Sequence, residues 1–74
     1  MSIAARAKAL EAGWYESRRG RLALRTLHDA HLVNALLATL AARDPVAITR
    51  PLAAEVARRG LREAALAQAA RRAR

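Results

Sequence analysis

Residues Leu27 to Arg43 read LHDAHLVNALLATLAAR, and this stretch decides the fold class. At about 100° per residue, Leu32, Val33, Leu36, Leu37 and Leu40 share one broad stripe, while His31, Asn34, Ala35 and Ala38 gather on the far side. The pattern predicts one long amphipathic helix with two different neighbours. Its leucine stripe should meet other helices, and its small-residue side should seat a hairpin or a second protomer. Thr26 followed by Asp29 resembles a capping box with Asp in place of the usual Glu, which starts this helix at Leu27 and ends it near Arg43.

Upstream, Ser17-Arg18-Arg19-Gly20 is a turn signal, and Arg21 to Arg25 alternates with period two. This predicts a small hairpin with Leu22 and Leu24 inward and Arg19, Arg21 and Arg25 along one exposed ribbon. A helix running through Gly20 is the rival reading, at a cost of about 1 kcal/mol relative to Ala. Before the hairpin, Ser2 caps a first helix whose seam is Ile3, Ala7, Leu10 and Trp14, and Gly13 ends it. Trp14 then folds back as a core anchor.

Downstream, Asp44-Pro45 breaks the chain, and Val46 to Ile48 reads as an extended connector. Thr49 or Arg50 caps the next helix, with Pro51 in its first turn. Val56, Gly60 and Leu61 fit a Schellman ending in which Leu61 packs back on Val56. The last segment, Arg62 to Arg74, has Glu63 in its first turn and Arg71, Arg72 and Arg74 in its last, as the helix dipole favours. Its arginines surround the wheel, so fraying is expected beyond Ala70. The whole is one small domain, residues 1–74, mainly α, with three or four short helices packed as a bundle beside a minor β-hairpin.

Composition bounds what such a domain can do. Of 74 residues, 13 are Arg and one is Lys against six acids, a formal charge of +8. Nucleic acid, a phospholipid surface and an acidic protein all answer to that charge. GC-rich codons alone also produce this Arg and Ala content. The apolar fraction is 54%, but 21 of those residues are Ala, so the core is thin and a homo-oligomer or folding against a partner is expected. With no Cys, disulfides, thiolate zinc sites and cysteine nucleophiles are excluded. The longest uncharged stretch, Leu32 to Ala42, is too short for the roughly 20 residues of a membrane span, and the start lacks a signal-peptide pattern. A cytoplasmic location, in a bacterial host, is the expectation.

Trp14, Gly20 in its charged turn, Leu22-Ala23-Leu24, Leu27 and His31-Leu32-Val33-Asn34-Ala35 together resemble a group of small phage and prophage proteins. Their pattern joins a tryptophan, a glycine hairpin and a helix opening with His-Leu-x-Asn. Pro51-Leu52, Glu55 and Arg59-Gly60-Leu61 resemble a segment that follows in some of them, so the likeness spans Trp14 to Leu61. Two details depart: Arg19-Gly20 replaces an acidic-glycine turn, and Leu27 stands where methionine is frequent. The resemblance implies a mobile-element origin and a hairpin, and it carries over no catalytic residue.

The chemistry-bearing residues are few. His28 and His31, at i and i+3, could touch one metal ion with Asp29 or Asn34, but no second His pair or Cys completes the shell, and no metal or cofactor is expected. The carboxylates sit near arginines or in helix first turns, and no phosphate-binding glycine loop occurs, so an enzyme is not expected. Leu52 to Leu66 has two short helices around Gly60, as in a helix-turn-helix, yet Arg58 and Arg59 stand where that motif buries apolar residues. Two basic clusters remain as candidate contacts: Arg18, Arg19, Arg21 and Arg25 on the hairpin, and Arg58, Arg59 and Arg62 at the glycine turn. The expected role is a basic phage-type accessory module that binds nucleic acid or a host nucleoprotein complex. The alternatives are a stoichiometric inhibitor of a host defence system, of the anti-CRISPR type, and a structural helical oligomer.

Overall fold

The computed structural model describes residues 2–73 and has four helices and one two-stranded antiparallel hairpin, the mainly helical bundle that the leucine stripe implies. The elements are α1 (Ile3–Glu11), β1 (Trp14–Ser17), β2 (Gly20–Ala23), a 3-10 turn (Leu24–Thr26), α2 (Asp29–Ala41), α3 (Val46–Arg58) and α4 (Arg62–Arg72). Arg74 lies outside the described residues. No described helix is long and apolar enough to cross a membrane.

The core lies between α2 and α3. Leu32 of α2 and Ile48 and Leu52 of α3 are wholly buried, and Ala7 and Leu10 of α1 close one side. On α2, Leu32, Val33, Leu36 and Leu37 are buried as the stripe predicts, while Leu40 is exposed and Ala35, from the far side, is buried. Ser2 caps α1 by accepting the Ala5 N–H at 3.1 Å, and Gly13 ends it with φ 91°. Ile3, at the start of that seam, is exposed. The helix α4 runs past Ala70 to Arg72 and buries Ala65 alone.

Two expected boundaries and one core assignment change. Helix α2 starts at Asp29 rather than Leu27, because Thr26 does not cap it. Its hydroxyl donates to the Ala23 carbonyl at 2.7 Å within the 3-10 turn. Leu27 then stays extended and drops its side chain into the core. Residues Val46 to Ile48 form the first turn of α3, with Pro45 at its N-cap and neither Thr49 nor Arg50 capping. Starting the helix there places Ile48, Leu52 and Val56 at four-residue intervals along one buried line. Pro51 consequently lies inside α3, where it has no N–H for the Ala47 carbonyl; the burial of that apolar line offsets the missing bond. Finally, Trp14 is not a core anchor. It stands on β1 with 41% of its surface exposed, and Tyr15 packs on the core in its place.

Two helices end in the same backbone motif. After α3, the Gly60 N–H donates to Ala57 at 3.0 Å and the Leu61 N–H to Val56 at 2.9 Å, with Gly60 at φ 70°: the Schellman ending read from the sequence. After α2, the Arg43 N–H donates to Leu40 at 3.1 Å and the Asp44 N–H to Thr39 at 2.9 Å, but the left-handed residue is Arg43, at φ 56°. A side chain there costs about 1–2 kcal/mol. Arg43→Gly should therefore stabilise the fold by about 0.5–1 kcal/mol after its larger unfolded-state entropy is counted. Urea unfolding checks it against Arg43→Ala, which removes the charge and keeps the strain. Equal midpoints for the two variants would show that conformation is not what matters at Arg43.

Candidate nucleic-acid interface

The hairpin is set by its register. Trp14 pairs with Ala23, Tyr15 with Leu22, Glu16 with Arg21 and Ser17 with Gly20, leaving Arg18 and Arg19 as the tip. Both arginines keep negative φ, and Gly20 takes the positive value, 112°, that lets the tip close. The Ser17 hydroxyl accepts from the Arg19 N–H at 3.2 Å and donates to the Gly20 carbonyl at 2.8 Å, which stiffens the tip.

Alternation then gives the hairpin two faces. Tyr15 and Leu22 turn toward α2, where the Tyr15 ring meets His31 edge to face at a 5.4 Å centroid distance. The hairpin thus meets α2 at His31: Asn34 turns to α4 and accepts from Arg72 at 2.8 Å, and Ala38 is exposed, so the small-residue side as a whole does not seat the hairpin. Leu22 remains exposed at its edge, and Leu24 is buried from the 3-10 turn rather than from a strand. The opposite face carries Trp14, Glu16 and Arg21. The Arg21 guanidinium lies 6.0 Å from the Trp14 ring centroid while its Nε donates to Glu16 at 2.7 Å. Arg25, in the 3-10 turn, and Glu55 of α3 line a shallow recess below Trp14. On the α2 side, Tyr15, Arg18, Arg19 and His31 line a second, open concavity. Arg19, Arg21 and Arg25 therefore do not form a single ribbon: they occupy the tip, one face and the base.

The base of the hairpin is held by Arg59. Its Nη2 donates to the carbonyls of Leu24 at 3.2 Å and Arg25 at 3.0 Å, its Nη1 to the Leu27 carbonyl at 2.6 Å and to Asp29 at 2.9 Å, and its Nε to Glu55 at 2.8 Å. Every N–H of a guanidinium is thereby occupied. The side chain is only 12% exposed. Arg59 thus leaves the basic surface and belongs to the fold, joining α3 to the turn between hairpin and α2. Glu55 completes the arrangement by also accepting both Nε and Nη2 of Arg58, at 2.9 and 2.7 Å. These hydrogen bonds, from Arg58 and then Arg59, hold the Glu55 carboxyl at about 2 rather than 4.5, against a smaller opposing push from burial.

The seven candidate arginines therefore divide. Arg59 is consumed by the fold, Arg58 is exposed but tied to Glu55, and Arg21 is tied to Glu16. Arg18, Arg19, Arg25 and Arg62 are exposed and form no ion pair among the described residues. Sequence reading missed Trp14 as an exposed aromatic. Placing Arg18 and Arg19 at the tip sets Tyr15 opposite Leu22 and so sends Trp14 to the other face. Glu55, three and four residues before Arg58 and Arg59, was the available signal for the ion pairs.

Arg59→Ala should destabilise the fold by about 3–5 kcal/mol, because it removes five hydrogen bonds at once and takes the donors from the Arg25 and Leu27 carbonyls and from a shielded carboxylate. Arg58→Ala, at an exposed side chain, should lower the urea midpoint much less than Arg59→Ala. Because the Glu55 pKa is depressed on folding, its contribution is present above about pH 4.5 and is lost as pH falls toward about 2. That loss should amount to about 1–3 kcal/mol, allowing for solvent on the Arg58 side. Glu55→Gln should lower stability at neutral pH and flatten the fall between these values; an unchanged acid limb would contradict the pairing.

Comparison of the chain with protein-family models, with curated proteins and with solved structures gives no match.

Proposed function

We propose that the protein is a non-enzymatic binding module that takes single-stranded nucleic acid on its hairpin. One observation carries the reading: Trp14 is 41% exposed beside the Arg21 guanidinium, with Arg25 lining the same recess and Arg18 and Arg19 at the hairpin tip, three arginines that form no ion pair among the described residues. Single strands are bound by such a combination, because every base has a π-face to stack and every nucleotide a phosphate to neutralise. In this reading Trp14 receives a base, Arg21 supports the ring, and Arg18, Arg19 and Arg25 meet phosphates from the tip and the base of the hairpin. The Arg59 clamp favours the same reading, since a platform fixed before binding loses little freedom when it binds.

Binding in place of catalysis accords with how the acids are used. Glu16, Asp29, Asp44 and Glu55 each face an arginine at 3.4 Å or less, so these acids are engaged in ion pairs.

Titration with a thymidine oligonucleotide should quench Trp14 fluorescence, and Trp14→Ala should weaken binding by about 1–3 kcal/mol while the protein stays folded. Replacing Arg18, Arg19 and Arg25 with Ala should reduce the salt slope by about 2, at roughly 0.7 per phosphate contact. Arg71→Ala with Arg72→Ala should matter much less, since those side chains bond Gln68 and Asn34. Unchanged fluorescence, or full affinity in Trp14→Ala, would refute the reading.

A further inference from the structure

A second surface shares no lining residue with the two concavities of the hairpin. Where α2, α3 and α4 meet, Leu36, Leu37, Val56 and Ala65 form the floor of an apolar groove. Its walls are Leu40, 54% exposed, and Leu66, 70% exposed. Leu66 is the one large apolar residue within α4, and it contributes nothing to the core. The groove holds no carboxylate; its one charged lining residue is Arg62. That residue opens α4, whose first turn has no side-chain cap, so the guanidinium and the positive end of the helix dipole act together.

Charge selects the occupant. A second copy would bring another +8 and no excess of acids to the groove, so like charges oppose that pairing. We propose that the groove receives an acidic amphipathic helix of a partner protein. Its apolar face would cover Leu40 and Leu66, and a carboxylate at its edge would meet Arg62. Helix-in-groove recognition needs this apolar trough with residues spaced along a neighbouring helix, and the sign of the rim charge decides which helices enter.

The test uses the whole protein and labelled synthetic helices with Leu at i, i+3, i+4 and i+7. One carries Glu at the remaining positions, one carries Lys, and a third scrambles the Glu peptide. Fluorescence anisotropy should show binding of the ordered Glu peptide only. Leu66→Ala and Arg62→Glu, both at exposed positions and verified as folded by circular dichroism, should each weaken it at least about tenfold. Arg19→Ala should leave it unchanged, which separates this groove from the hairpin. Equal binding of the scrambled acidic peptide would reduce the effect to net charge and overturn the proposal. So would an unaffected Leu66→Ala variant. A dimer in sedimentation that Leu66→Ala dissociates would assign the groove to a second copy instead.

Discussion

The Arg59 guanidinium is the interaction on which the rest of this small fold depends. Three of its contacts are to backbone carbonyls in the 3-10 turn and the extended residue after it, and two are to carboxylates on different helices. The Arg25 and Leu27 carbonyls lie where neither helix nor sheet supplies a donor, and without the guanidinium the Leu24 carbonyl would keep only the Leu27 N–H, at 3.2 Å. Lysine could not take its place. A single ammonium has three donors and no fork, and it would leave part of the set unsatisfied.

This clamp explains how a two-stranded hairpin persists on so thin a core. Isolated hairpins are marginal in water. Here the base is fixed from three directions: the Leu24 N–H donates to Gly13 at 2.8 Å, Thr26 holds Ala23, and Arg59 holds Leu24 and Arg25. Tyr15 against His31 secures the inner face. With the base and one face committed to the fold, Trp14 and the tip arginines are what the hairpin offers to a ligand. The arginine-rich composition thus divides into side chains that build the domain and side chains that remain free on its surface.

Much of the fold was legible because periodicity and caps are local. The leucine stripe from Leu32 to Leu37, the Ser2 cap and the Val56-Gly60-Leu61 ending all depend on residues a turn apart and appear as read, whereas Leu40 at the end of the stripe is exposed. What failed depended on distant partners. Thr26 matched a capping pattern, but a carbonyl three residues back took its hydroxyl. Pro51 marked a helix start, but burying Ile48 in line with Leu52 moved that start five residues earlier. At the candidate site, Arg58 and Arg59 look alike in sequence. One points to solvent and the other crosses to residues some 30 positions away, a distinction only the packing of α3 against the hairpin base creates. Trp14 continues the helical spacing of Ile3, Ala7 and Leu10, but it opens β1 instead, and the alternation of that strand turns it away from the core.

The central claim is this division between a locked arginine and an open aromatic platform. Nitrogen-15 spectra of the arginine side chains and the Trp14 indole, recorded as a thymidine oligonucleotide is added, test it most directly. The account predicts a slowly exchanging Arg59 Nε–H that does not move, while the Trp14 indole and the Arg18, Arg19 and Arg25 signals shift together. A rapidly exchanging Arg59 that shifts with the oligonucleotide, beside an indifferent Trp14, would contradict it.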